Sequence, residues 1–278
     1  MHSLANDGCS PLYVSCRYGH YKCASALIDK HANVNQVDNY GHSALIIACF
    51  NGHYDCVSLL LDNGAHVNRI AKNGLSALYA ACASGHHRCA ALLLTKGANV
   101  NVKNEADCAL QITILMGHIR IVFHLLENGA EVTEAGKHAA VVGNSVKALA
   151  LVLRRVGFEH INANNSGGRL LRLARHLKRS DIESFLRENG ASDDGTPSNY
   201  DSGIFGILQT RSQEIYNQAR GERKQLRRCD FPNCDRDVPM EQLKKCSKCH
   251  EFWYCGKEHQ QSHWKEHKAM CIKLRLEV

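Results

Sequence analysis

The chain has 278 residues, 44% of them hydrophobic, with only four prolines and a formal charge of +7. That composition supports one or two folded domains and excludes a linker-dominated, low-complexity protein. No 18-residue apolar run occurs and residues 1–8 lack the basic start and apolar stretch of a secretory signal, so the fourteen cysteines are expected in a reducing compartment, cytoplasmic or nuclear, either free or on metal.

From the N-terminus the chain repeats itself. Gly8, Gly41 and Gly74 are 33 residues apart, as are the pairs Gly19-His20, Gly52-His53 and Gly85-His86. Gly117-His118 continues the series one residue early. Gly64-Ala65, Gly97-Ala98 and Gly129-Ala130 recur in step, with His31-Ala32 in the same place of the first unit. A fixed period of this length predicts stacked units that bury one continuous core.

Each unit reads as helix, turn, helix and loop. The first helix opens at Ser10-Pro11-Leu12-Tyr13, Ser43-Ala44-Leu45-Ile46, Ser76-Ala77-Leu78-Tyr79 and Cys108-Ala109-Leu110-Gln111. In the first three a serine stands where a helix cap belongs. Gly-His breaks that helix. The second helix, as in Val57-Ser58-Leu59-Leu60-Leu61, carries one apolar face and ends at Gly-Ala, where glycine suits a left-handed turn. The polar Asn-Val-Asn stretches that follow (33–35 and 99–101, with His-Val-Asn at 66–68) are the expected hairpin loops.

These units resemble ankyrin repeats. The resemblance covers four clear units over residues 6–132, with the family's histidine replaced by Tyr13, Ile46, Tyr79 and Gln111. A fifth, degenerate unit runs through Gly143-Asn144 to Gly157, and a sixth ends at Gly190-Ala191, so the array is expected over 1–191. The cysteines Cys16, Cys49, Cys82 and Cys23, Cys56, Cys89 share the period. They are read as small core hydrophobes rather than a redox or metal ladder. The Gly-His histidines are read as parts of the turn. Arg169, Arg172, Arg175, Lys178 and Arg179 follow helical spacing, either as the solvated face of a capping unit or as a docking stripe for an acidic partner or RNA.

Residues 192–203 break the pattern and 204–228 are expected to include a helix, giving a linker over 192–228. The tail then presents Cys229, Cys234, Cys246, Cys249, Cys255, His259, His267 and Cys271, with gaps of four, eleven, two, five, three, seven and three residues. Eight soft or borderline donors in so short a run make two closed tetrahedral zinc sites, which hold structure and leave no position for activated water. His263, four residues from both His259 and His267 on an expected helix, is an alternative to His259.

The run Trp253-Tyr254-Cys255, then Gln260, Trp264, His267, Lys268 and Cys271, resembles the end of the MYND zinc finger, over residues 229–271. The resemblance implies interleaved ligand pairs: Cys229, Cys234, Cys255 and His259 on one zinc, Cys246, Cys249, His267 and Cys271 on the other. It also implies that short proline-containing peptides bind at Ser247, Gln260 and Trp264. The first cysteine pair is wider than usual, and His259 stands where cysteine is common.

The expected fold is therefore mainly α, an ankyrin-repeat solenoid followed by a small two-zinc finger. The expected function is a monomeric, non-enzymatic adaptor for protein partners. Residues 220–278 hold fourteen Lys/Arg against nine Asp/Glu, mildly basic and short of a committed nucleic-acid footprint. A ubiquitin-ligase-like zinc module and a nucleic-acid-binding regulator are the alternatives. A lysine methyltransferase carrying an inserted finger would need sequence that the repeats occupy. Tyr18, Asn51, Ser84 and Met116, with Tyr40 and Lys72 in the loops, are the expected lining of the repeats' binding face.

Overall fold

The structure, a computed structural model, describes residues 8–102, 108–162 and 166–193, and the backbone of four short strands further on. The chain divides into two compact units, 1–216 and 217–278.

The first unit is a row of helix pairs. In chain order they are α1 (Pro11–Arg17) with α2 (Tyr21–Asp29), α3 (Ala44–Asn51) with α4 (Tyr54–Asp62), and α5 (Ala77–Ala83) with α6 (His87–Thr95). Then come α7 (Ala109–Leu115) with α8 (Ile119–Glu127), α9 (Glu134–Val142) with α10 (Val146–Val156), and α11 (Ser166–His176) with α12 (Ser180–Glu188). The odd-numbered helices pack on one another in sequence, from α1 on α3 through to α9 on α11, and form an inner row. The even-numbered helices form an outer row.

Local chemistry explains where the inner helices start. Ser10, Ser43 and Ser76 accept hydrogen bonds through Oγ from the backbone N–H of Tyr13, Ile46 and Tyr79 at 3.1, 3.3 and 3.1 Å. Each satisfies one of the first-turn donors that a helix leaves open. In the fourth unit the Cys108 N–H donates to Gln111 Oε1 at 2.9 Å. The glutamine that replaces the expected histidine is thus a capping residue.

The core lies between the two rows. Cys16, Cys49, Cys82, Ala48, Ala80, Val57, Leu60, Leu93, Ile112, Leu149 and Leu170 are fully enclosed. Cys56 and Cys89 are buried beside them, and only Cys23 of the periodic cysteines is exposed. Burial, with Cys89 and Cys82 nearby, pushes the Cys49 thiol well above its usual range. Cys82 is pushed up to about 12, chiefly by burial. Such thiols behave as small apolar groups.

Two ladders join neighbouring units. The first joins glycine to histidine. Gly19, Gly52 and Gly85 have φ of +72°, +76° and +76°. A β-carbon on Gly19 would overlap the ring of His53, one on Gly52 the ring of His86, and one on Gly85 would lie 2.6 Å from His118 Cε1. Glycine is required twice over, for the left-handed backbone and for the imidazole of the next unit.

The second ladder uses asparagine. Asn35 Nδ2 donates to the Gly64 carbonyl at 3.0 Å, and its Oδ1 accepts the His66 N–H at 2.8 Å. Asn68 repeats this with Gly97 and Asn99, and Asn101 with Gly129 and Glu131. Asn162 does the same with Gly190 and Ser192. One side-chain amide therefore supplies each joint with the donor and acceptor of a backbone pairing.

The degenerate fifth unit differs from the earlier ones in two ways. Thr133 caps α9 through Gly136 at 3.2 Å, so the helix begins at once and no projecting loop precedes it. The left-handed residue at its inner turn is Asn144 (φ +52°), not Gly143 (φ −70°). A β-carbon on Gly143 would press on the carbonyls of Ala139, Leu115 and Ile114 at 3.1 to 3.2 Å, so glycine is kept there for close helix packing.

The second unit contains two antiparallel strand pairs, β1 (Leu226–Arg228) with β2 (Asp237–Pro239) and β3 (Lys244–Lys245) with β4 (Trp253–Tyr254). Leu226–Arg228, the expected end of a linker helix, is instead a strand. Pairing with residues 237–239 satisfies its backbone and overrides the helical preference of the local sequence. The rest of the expected linker helix lies outside the described residues.

Candidate binding surfaces and metal centre

The loops that project from the inner row form the first candidate surface. In the second unit the chain turns at Asp38–Ser43, closed by a bridge between Val37 and Ser43. In the third it turns at Ala71–Ser76, closed by Ile70 and Ser76. The turns stack, with the Lys72 N–H donating to the Tyr40 carbonyl at 3.0 Å and Lys72 Nζ to the Asn39 carbonyl at 2.9 Å.

Asp38 organises the first turn. Its Oδ1 accepts from the N–H groups of Tyr40 and His42 at 2.9 and 2.8 Å, and Oδ2 lies 3.1 Å from His42 Nδ1. Asn73 Nδ2 meets His42 Nε2 at 3.3 Å, so the imidazole links two units. Burial, with the Asp38 carboxylate beside it, pushes the Tyr13 phenol far above its usual range. The buried carboxylate thus holds the turn and also faces the Tyr13 phenol.

Beside the exposed polar Asn39, Lys72 and Asn73, large hydrophobic side chains of the first three units face solvent. Tyr18 (60% exposed), Tyr40 (63%) and Ile70 (51%) are among the large hydrophobic side chains left uncovered. Asn51, Ser84 and Met116, which hold the position of Tyr18 in later units, are only half-exposed. The expected lining is therefore uneven, concentrated in the first three units.

Three arginines of the stripe, Arg172 and Arg175 on α11 and Arg179 just before α12, are used within the array. Arg172 Nη1 and Arg175 Nη1 grip the two oxygens of Asp193 at 2.8 and 2.7 Å. Arg175 Nε and Arg187 Nη2 both meet Glu183 Oε1, at 2.9 and 3.0 Å. Arg179 Nη2 donates to the Val142 carbonyl at 3.4 Å. Of the two readings open for this stripe, these pairings favour the capping face.

A buried polar cluster was not legible in the sequence. Lys137, 5% exposed, donates through Nζ to Glu134 Oε1 at 2.8 Å and to Ser166 Oγ at 3.3 Å. Ser166 in turn donates to Glu134 Oε2 at 2.9 Å. Burial raises the Glu134 carboxyl, but the bonds from Lys137 and Ser166 outweigh it and hold the group below its usual range. The cluster ties the first turn of α9 to the start of α11. Only the Glu134–Lys137 spacing of three hints at it in sequence.

The expected metal ligands Cys229, Cys234, Cys246, Cys249, Cys255, His259, His267 and Cys271, and the expected peptide contacts Ser247, Gln260 and Trp264, lie outside the described residues. In sequence, four of these cysteines fall between the paired strands. The connection between β1 and β2 contains Cys229 and Cys234, and that between β3 and β4 contains Cys246 and Cys249. The donor set fits zinc.

Comparison with known proteins defines the class. The family model for ankyrin repeats (three copies) matches residues 1–71 and 69–135, and that for the MYND finger matches residues 222–271. The crystal structure of the human ASB11 ankyrin repeat domain superposes with a TM-score of 0.59 at 24% identity, over 72% of this chain and 98% of that one. This chain carries ankyrin repeats followed by a MYND finger, a zinc-binding domain, and is built for protein interaction.

Among curated proteins, the chain is 47% identical over 42 residues to Egl nine homolog 1 of Homo sapiens. It is 49% identical over 45 residues to the histone-lysine N-methyltransferase ASHR1 of Arabidopsis thaliana. These matches span 10% and 9% of those relatives. Among the described residues no helix is long and apolar enough to cross a membrane. The helix pairs α9/α10 and α11/α12 extend the array beyond the region matched by the ankyrin model.

Proposed function

We propose that the chain is a non-catalytic, monomeric adaptor with two binding ends. The repeats over 1–191 hold a protein partner on the side bearing the loops of the second and third units, through Tyr18, Tyr40, Ile70 and Lys72. A linker over 192–228 joins them to a finger over 229–271. There Cys229, Cys234, Cys255 and His259 hold one zinc, and Cys246, Cys249, His267 and Cys271 a second. The zincs supply folding energy, and the finger offers short proline-containing peptides a face at Ser247, Gln260 and Trp264.

The exposure of Tyr18, Tyr40 and Ile70 on one end of an otherwise well-packed array carries this reading. Large amphipathic side chains held on a rigid frame are favoured binding anchors. A pull-down comparing the intact chain with Trp264→Ala, Tyr40→Ala and residues 1–191 tests it. Separate partner sets lost in Trp264→Ala and Tyr40→Ala support two ends. Partner sets unchanged in all three variants exclude both.

A further inference from the structure

The first and last units end the array in opposite ways. A terminal unit is expected to turn a polar side to water. The last one does so, with Arg175, Arg187, Glu183 and Asp193 paired on it. There Lys178 (φ +54°) stands in the place of the turn glycine. Arg179 takes the place of the histidine and donates to the Val142 carbonyl. The leading side of the first unit is different. Leu60, Leu93 and Leu125 are fully enclosed, but Leu27, at the same position of α2, is half-exposed. Cys56 and Cys89 are buried, but Cys23 is exposed. Ala80 and Ile112 are enclosed, but Val14 is 41% exposed. Tyr21 is 46% exposed where Ile119 of the fourth unit is buried.

In the second unit the covering is done by the pair before it. α1 lies on α3 and α2 on α4, and Cys56 is hydrogen-bonded to the Cys16 thiol of the first unit. Lys22 and Asp29 of α2 are exposed as well. Both ladders also stop at this side with one half in place. His53, His86 and His118 each meet a glycine of the preceding unit, and His20, at the same position, is exposed. The His31 carbonyl and the Asn33 N–H correspond to the groups of Gly64 and His66 that Asn35 holds. Among the described residues none holds them. The 33-residue period puts His2, not asparagine, at the matching place in the sequence.

We propose that this leading side is a docking surface for the last helix pair of a partner's ankyrin array. The occupant follows from the seams within the chain. His20 calls for a left-handed glycine with no β-carbon in its way. His31 and Asn33 call for one side-chain amide, donor and acceptor together. Val14, Tyr21, Cys23 and Leu27 call for the apolar side of a helix pair. The last unit of a second copy does not fit, because Lys178 stands where the glycine is needed. The first unit of a second copy offers another His20 and no glycine to receive it. The surface uses neither Tyr40 nor Ile70, so its test is separate from that of the loop-bearing side.

The test uses the full chain with zinc. The probe is a fluorescent three-unit consensus ankyrin array whose last unit carries glycine at the inner turn and asparagine in the loop. A comparison array carries lysine and alanine at those two places. Anisotropy should show binding of the first array, at least about tenfold tighter than of the second. Tyr21→Glu in the chain should weaken it at least about tenfold, and Tyr40→Ala should leave it unchanged. His20→Ala, a milder change at an exposed side chain, should give a smaller loss, and circular dichroism reports the folding of each variant. Alkylation of Cys23 should slow as the array saturates the chain, which places the contact on this side. No binding, equal binding of the two arrays, full binding by Tyr21→Glu, or a Cys23 alkylation rate unchanged by the array would overturn the proposal. So would self-association of the chain, seen in sedimentation, that Tyr21→Glu abolishes.

Discussion

The imidazole of His53 lies in the space that a side chain on Gly19 would fill, and its Nε2 donates to the Arg17 carbonyl at 3.1 Å. The histidine of one unit thereby closes the end of the preceding unit's inner helix, where a carbonyl would otherwise lack an intrahelical donor. The Gly-His pair is a joint between units as well as a turn within one.

The glycines separate two costs. Gly85 and Gly97 have nearly equal φ, +76° and +81°, but only Gly85 faces a ring, that of His118, while nothing lies within 4 Å of a β-carbon on Gly97. Gly97→Ala should cost about 1–2 kcal/mol of backbone strain. Gly85→Ala should cost more, by about 1–3 kcal/mol of overpacking. Urea unfolding followed by circular dichroism measures both, and equal losses would remove the joint from the account.

Asn68 offers a test of the second ladder. Asn68→Ala leaves the Asn99 N–H and the Gly97 carbonyl without their partner and should cost about 1–2 kcal/mol, moderated by solvent at this exposed joint. Asn68→Asp keeps the acceptor but faces the carbonyl with a carboxylate, so it should recover only part of the loss. Thermal unfolding of the three proteins ranks them.

Acid should loosen the join between α9 and α11. The Glu134 carboxyl is held below its usual range, so its contribution is present above the ordinary glutamate pKa, near 4.3. That contribution is lost as the pH falls through the lower folded value. The fall in stability through that acid window should be shallower in Glu134→Gln, provided Lys137 stays buried. Hydrogen exchange in α9 and α11, followed against pH, reports it locally. An identical profile in the variant would remove Glu134 from the acid response.

Cysteine labelling should be selective. Cys23 is exposed, whereas Cys9, Cys16, Cys49, Cys56, Cys82, Cys89 and Cys108 are buried. A brief pulse of iodoacetamide on the zinc-loaded chain, read by peptide mass spectrometry, should modify Cys23 ahead of these seven. Early labelling of Cys49 or Cys82 would contradict the packing described.

Removing metal should act on one unit alone. A finger this short has little hydrophobic core, and structural zinc supplies on the order of 10–16 kcal/mol of apparent binding energy at neutral pH. A strong chelator should abolish the amide dispersion of residues 229–271 and leave the helical signal of the repeats. Dispersion that survives chelation would sink this expectation.

The inner-helix caps were legible because each involves two groups three residues apart, as in Ser43 and Ile46. The left-handed glycines 64, 97 and 129 were legible for the same local reason. The partners of Asn35 lie about thirty residues away, so no local pattern reveals them. Neither does any pattern link Lys137 to Ser166. The shift of the left-handed turn to Asn144 depends on how closely α9 approaches α7. Zinc was legible because metal donors are a small set of residue types with tight spacing.

The asparagine joints depend only on the units they connect. Asn35 holds a glycine carbonyl and the N–H two residues on, and Asn68 holds the same pair in the next unit. Excising residues 36–68 would bring Asn35 to Gly97 and Asn99, and Gly19 to His86, with every joint closed by the same atoms. An array built this way can change length by whole units without redesigning either ladder, so its reach towards a partner is set independently of how these joints are made.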